Sequence, residues 1–199
     1  MNVTDHPEEV LDSWLEPGVT PDPRRFDRDR CRVRRTRARS ALTPSGLEGF
    51  DWVLNPYRGC AHGCAYCYSP SAMGVDRARW GLEVEARQNM PAVLARELGR
   101  RERGVVGLSS VTDPYQPAER RFQITRYCLE RLARHDWPVC VLTKSDLVVR
   151  DADVLGEMGQ VEVGLTVTTL DEHQRRLMEP GAPPVPRRLA AMRMLSAST

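Results

Sequence analysis

The chain has 199 residues, 41 % of them hydrophobic and 28 % charged, with 29 basic against 27 acidic side chains for a formal net charge of +2. That length is enough for one sizeable domain, and so even a balance gives no global electrostatic argument for nucleic-acid binding. No apolar run approaches the roughly 18–20 residues of a membrane span, and the start MNVTDHPEEVLDSW lacks the regions of a signal peptide, so the chain reads as cytoplasmic, off the membrane, with its cysteines reduced.

Residues 1–23 are rich in Pro, Asp and Glu, with Trp14 and Leu15 as a small apolar anchor, and read as a mobile tail or loosely docked arm. Residues 24–39 hold nine Arg against two Asp. They read either as a phosphate or nucleic-acid patch or as a solvated segment entering a first strand, since CRVRRTRARSAL partly alternates. Phe26 is the one aromatic among these arginines, which gives a base-stacking platform little support. The organisation expected is an Arg-rich, partly mobile N-terminal arm over 1–45 ahead of a core over 46–199.

From residue 50 the pattern is regular. FDWVLN is a strand leading into NPYRGCAHGCAYCYSP (55–70), and 86–103 has apolar residues at helical spacing up to Gly104. A strand over 105–111 stops at TDPYQP, an amphipathic helix covers 118–134, and a buried strand covers 138–144. A helical piece near 151–158, a fourth strand over 161–169, a short helix in LDEHQRRLMEPG and a last helix over 185–195 follow. Strands that are apolar runs, alternating with helices, predict an α/β fold with a parallel sheet. Right-handed crossovers then bring the cysteine loop, TDPYQP, TKS and TVTTLD to one rim, where ligands bind in such folds.

The chemistry concentrates in the cysteine loop. Three of the six cysteines, Cys60, Cys64 and Cys67, fall within eight residues at C-x3-C-x2-C spacing, and Gly59 and Gly63 let the backbone fold tightly around them. A structural zinc site takes four ligands, which here would need His62 or a distant residue, whereas an iron–sulfur cube held by three thiolates keeps one iron open. Cys31, Cys128 and Cys140 are scattered and read as small buried or half-buried thiols. Lys144 is the single Lys in an Arg-dominated chain, and a compact ammonium is not interchangeable with a planar guanidinium.

CAHGCAYC resembles the cluster-binding signature of radical S-adenosylmethionine (SAM) proteins, with Tyr66 as its aromatic, and the flanking NPYRGC and YCYSP resemble the spore photoproduct lyase-like branch. SSVTDPYQPAE, VLTKSDLVVRDADVL and the segment from VGLTVTTLDEH through the EPG turn resemble further family words in the same order, from about residue 32 to the end. The resemblance implies a [4Fe-4S] cluster on Cys60, Cys64 and Cys67 and SAM on the open iron, with Tyr66, Thr112, Lys144 and Thr166 (Thr168 beside it) near SAM. It implies reductive cleavage of SAM to a 5′-deoxyadenosyl radical that abstracts hydrogen from a substrate. An electron donor such as flavodoxin or ferredoxin goes with that chemistry. The words name no substrate, and a photoproduct-like nucleic acid enters by analogy only. Asp113 and Glu119 either orient groups at the site or belong to the start of the following helix. The family barrel implies six strand–helix units, of which four are counted here, a partial barrel that stops at SAST with the fourth strand as an exposed edge. A non-catalytic iron–sulfur or zinc-binding module left from such an enzyme is the alternative.

Overall fold

The computed structural model describes residues 31–197, so the expectations for the tail, for Trp14 and Leu15 and for the first four arginines of the basic run lie outside the described residues. In chain order the elements are β1 (Arg32–Thr36), β2 (Leu42–Pro44), β3 (Trp52–Leu54), β4 (Tyr57–Arg58), α1 (Ser69–Met73), β5 (Glu83–Arg87), α2 (Met90–Leu98), β6 (Val106–Leu108) and α3 (Glu119–Phe122). They continue with α4 (Ile124–Arg134), β7 (Val139–Thr143), α5 (Ala152–Gly156), β8 (Val161–Leu165), α6 (Glu172–Met178) and α7 (Val185–Ser196), with 3-10 turns at Arg77–Arg79 and Asp146–Asp151.

The main sheet has the order β2-β3-β6-β7-β8. Strands β3, β6, β7 and β8 run parallel, and β2 closes one side antiparallel to β3. The fold is therefore the α/β architecture that the alternation predicts, with the four expected parallel strands as part of a (β/α) barrel. Leu54, Val106, Leu108, Val139 and Val141 bury the sheet against Met90, Leu94, Leu129 and Leu132 of α2 and α4. Their alkyl surface is what drives this packing, at roughly 25 cal/mol for each Å² removed from water. Among the described residues no helix is long and apolar enough to cross a membrane.

Three local readings change. Residues 86–89 do not begin a helix, because Ala86 and Arg87 end β5, which pairs with β1 on one side and β4 on the other in a second sheet, β1-β5-β4. The helix starts at Met90, after Asn89 has turned its side chain to the Ala38 backbone (2.7 and 2.8 Å). The helix expected over 118–134 is two helices broken at Gln123, whose φ is +51°. The buried Glu119 carboxylate accepts the Thr125 and Arg126 N–H groups at the start of the second (3.0 and 3.2 Å), which satisfies two donors that the break would otherwise orphan. The fourth strand ends at Leu165, which puts Thr166 and Thr168 beyond it in the loop. Residues 31–45 take part in both sheets, through β1 on β5 and β2 on β3.

Candidate functional site

The cysteine loop is built around carbonyl oxygens that neighbouring elements hold in place. Gly59 and Gly63 take φ of +80° and +58°, the left-handed region that glycine enters at little cost. Gly59 also lies so close to the Glu83 carbonyl that a Cβ would collide with it. From the β6 side, Thr112 Oγ1 donates to the Gly59 carbonyl at 2.6 Å, and Gln116 Nε2 donates to the same oxygen at 3.1 Å. The Gln116 carbonyl oxygen accepts from the Ala61 N–H at 2.9 Å. From the α6 side, the Ala65 N–H donates to the Met178 carbonyl at 2.8 Å and the Gly181 N–H to the His62 carbonyl at 2.9 Å. The Arg77 guanidinium donates to the Ala65 and Cys67 carbonyls at 2.8 Å each.

A cavity of about 230 Å³ opens over this loop. Cys60, Cys64, Cys67, Tyr66, Thr112, Lys144 and Thr166, the seven residues singled out in the sequence, all line it. They arrive from the segments after β6, β7 and β8 and from the loop that follows β3 by way of the short β4, the rim that parallel topology predicts. Thr168 stands just behind, its hydroxyl donating to Glu179 at 2.9 Å. The Thr112 hydroxyl is committed to the loop backbone, so this residue braces the loop as well as facing the cavity.

Two buried carboxylates set the electrostatics. Asp113 accepts from Thr143 Oγ1 at 2.7 Å, from the Lys144 N–H at 2.9 Å and from the Tyr115 N–H at 2.9 Å, and it faces His62 Nδ1 at 3.2 Å. Burial pushes its pKa up, but His62 and these hydrogen bonds outweigh burial and hold it at about 2. Asp113 thus serves both readings made of it, ordering its own turn and orienting His62 beside the cysteines. Glu179 accepts from the Tyr66 hydroxyl and lies 3.8 Å from Lys144 Nζ and 2.6 Å from Arg188 Nη1. Burial raises it, and Tyr66, Arg188 and Lys144 together bring it below the usual carboxylate value. Burial also raises the thiols, Cys60 well above its ordinary value and Cys64 to about 12, with Lys144 opposing the shift at Cys64.

The Lys144 ammonium lies 5.6 Å from the Tyr66 ring centroid, within cation–π range. The zinc reading needs four donors converging on a point, one of them His62. Among the described residues no three His, Cys, Asp or Glu side chains converge to hold a single ion, and His62 Nδ1 faces Asp113. A four-iron cube instead takes its thiolates on separate irons, so three sulfurs facing a shared volume suit it. Sequence reasoning missed two further groups. Ser109 Oγ and Trp80 Nε1 are buried on the cavity wall with no hydrogen-bond partner among the described residues, and Ser109 holds a φ of +70°. Unpaired buried polar atoms are uncommon, and both of these belong to residues of the cavity wall. Ser109 could have been suspected as a hydroxyl at a strand's C-terminal end, whereas Trp80 had no signal.

Of the two readings of the Arg-rich run, the described part of it forms a largely exposed first strand, β1. Arg32, Arg34, Arg58 and Arg79 line a second cavity of about 280 Å³ together with Glu83 and Glu85, and Arg34 pairs with Glu85 at 2.7 Å. Trp80 and Gly59 line that cavity too, and Trp80 also lines the cysteine cavity, so the two adjoin. Of the other cysteines, Cys128 is buried and Cys31 and Cys140 are partly so, as expected, and both His135 and His173 are exposed.

Comparisons with known proteins agree with this arrangement. A family model described as the radical SAM superfamily matches residues 54–198. An uncharacterised protein of Methanocaldococcus jannaschii is 31 % identical over 160 residues, covering 80 % of this chain and 60 % of its own length. One from Mycobacterium tuberculosis is 34 % identical over 158 residues, covering 75 % and 46 % respectively. Among solved structures, a spore photoproduct lyase variant superposes with a TM-score of 0.68 at 17 % identity, covering 83 % of this chain and 48 % of the lyase. Another, with bound AdoMet and dinucleoside spore photoproduct, gives 0.65 at 16 % identity over 83 % and 47 %. At that identity the likeness establishes the fold. The chain spans about half to three fifths of the length of these relatives.

Proposed function

The chain belongs to the radical SAM superfamily, and from that premise we propose that Cys60, Cys64 and Cys67 hold a [4Fe-4S] cluster whose open iron binds SAM in the cavity beside them. Such a pair supplies one-electron cleavage of a carbon–sulfur bond and hydrogen abstraction from a substrate. The protein's part is positioning and exclusion of water. Lys144 offers its ammonium to the SAM carboxylate, Tyr66 supports that ammonium with its ring, Thr112 keeps the loop closed, and Thr166 faces the ligand from the fourth strand's end. Ser109 and Trp80 provide unpaired donors on the wall. The observation that carries the reading is the meeting of three cysteines and the single lysine around one cavity. We further propose an electron donor of the flavodoxin or ferredoxin kind, a cytoplasmic location, and, by analogy with the lyase structures alone, a photoproduct-like nucleic-acid adduct as the substrate class.

Anaerobic reconstitution with iron and sulfide tests this. About four irons per chain, a broad visible band and 5′-deoxyadenosine released from SAM are the results expected. Cluster formation without SAM cleavage would leave a binding module in place of an enzyme, and one bound zinc with no iron would overturn the cluster assignment.

A further inference from the structure

Two of the side chains assigned to the SAM face, Tyr66 and Lys144, hang on one carboxylate to which the sequence alone assigns no role. Glu179 is fully buried. Its Oε1 accepts from the hydroxyls of Tyr66 and Thr168 and lies 3.8 Å from Lys144 Nζ, while its Oε2 faces Arg188 Nη1 at 2.6 Å. Arg188 is fully buried as well, and it donates Nη1 to the Thr166 carbonyl at 3.1 Å and Nε to the Pro183 carbonyl at 2.9 Å. One carboxylate thus ties the cysteine loop, the end of β7 and the loop after β8 together.

The two cations around Glu179 differ in what they can do. A buried carboxylate needs a close counter-charge, and Arg188, held between carbonyls, is that permanent partner. Lys144 is the looser of the two, at the longer distance and with 18 % of its side chain exposed. With Glu179 and Arg188 neutralising one another, the ammonium of Lys144 is surplus charge at the cavity wall. An incoming carboxylate can take it without stranding Glu179.

We propose that Glu179, paired with Arg188, is a positioning residue. It aims Lys144 directly, and also through the Tyr66 ring beneath it, at the carboxylate of an amino-acid-bearing ligand, and it touches no ligand atom itself. This inference rests on the SAM reading above.

A double-mutant cycle tests it. Glu179→Gln alone leaves Arg188 buried without a counter-ion and is expected to fold poorly, so the working variant is Glu179→Gln with Arg188→Met, which removes both charges at similar volume. SAM dissociation constants are measured by equilibrium dialysis on iron-reconstituted protein, with and without Lys144→Ala. In the parent, Lys144→Ala is expected to weaken binding about tenfold. The pair variant is expected to weaken it by a similar factor at unchanged iron content, and adding Lys144→Ala to it should then cost little more, because coupled residues are non-additive. Parent-like binding by the pair variant would overturn the proposal, as would an equal cost of Lys144→Ala in both backgrounds. Loss of iron loading in the pair variant would show a structural staple and overturn it too. Failure of the parent itself to bind SAM would instead sink the cofactor reading, and this inference with it.

Discussion

Ser109 follows β6 in the left-handed region, with its hydroxyl buried and unpaired. For a non-glycine residue this conformation costs about 1–2 kcal/mol, and such strain tends to persist where a site uses it. Ser109→Gly relieves the strain but adds chain entropy to the unfolded state. Its expected outcome is a stability change of at most about 1 kcal/mol in chemical denaturation, together with weaker SAM binding. Lys144→Ala separates charge from fold in the same way, with iron per chain unchanged and SAM affinity lower by about tenfold, or roughly 1.4 kcal/mol. Unchanged affinity in calorimetry would remove Lys144 from the ligand face. Gly181 is the opposite case. A Cβ there would press into the carbonyl oxygens of Ala61 and His62, so Gly181→Ala must push the EPG turn off the cysteine loop. A loss of about 1–3 kcal/mol and a parallel fall in iron loading are expected, read by thermal melting and iron analysis.

Between elements, short polar links fix the loop. Gln116 is fully buried, and its amide bridges Gly59, Ala61 and Thr112. Gln116→Leu fills the space but orphans the Ala61 N–H, which costs about 1–3 kcal/mol. The urea midpoint should fall and cluster loading should fall with it, since the loop loses its brace. A second link joins α4 to the start of α5, where Arg126 binds Asp153 at 2.7 Å and Asp151 at 3.0 Å. Hydrogen bonds from Arg126 hold the exposed Asp153 at about 2, below its ordinary 3.8. A depressed folded-state pKa means that stability from this pair is present above about pH 4 and is lost as pH falls through 2. Asp153→Asn should therefore be less stable than the parent at pH 5, with the gap closing by pH 2 and narrowing at high salt.

Across the whole molecule, the described residues give β8 a partner on its β7 side only. Thr166 donates its N–H to the Thr143 carbonyl at 2.8 Å, and by the period of two the Gly164 amide faces β7 as well. Amide hydrogen exchange should therefore alternate along β8, slow at Gly164 and Thr166 and faster at Val163 and Leu165, with β7 protected throughout. Uniform protection across β8 would mean that its outer edge is covered.

Much of this architecture was legible because it is local. Apolar runs separated by helical periodicity give the parallel strands, and the spacing of Cys60, Cys64 and Cys67 marks the cysteine loop. Lys144 stands out by being the chain's single lysine, and parallel topology carries Thr112 and Thr166 to the same rim. What escaped is non-local. The second sheet depends on Glu83–Arg87 finding partners on both sides, β1 far upstream and β4 beside the cysteine loop, and no periodicity within EVEAR announces that. The break at Gln123 depends on a buried carboxylate, and amphipathic spacing runs through it unchanged.

The sequence by itself determined the α/β class, the cysteine loop and the rim residues, because spacing and strand order are properties of the chain. Only the tertiary structure decided that Gln116 braces that loop, that Glu179 and Arg188 are buried together beside its lysine, and that Ser109 and Trp80 have buried, unpaired polar atoms. A side chain's burial, counter-charge and hydrogen-bond partners come from distant segments of the chain, and Tyr66 and Glu179 meet across 113 positions. Desolvation then turns such a meeting into a requirement, since a carboxylate taken out of water must find its cations among whatever the fold brings there.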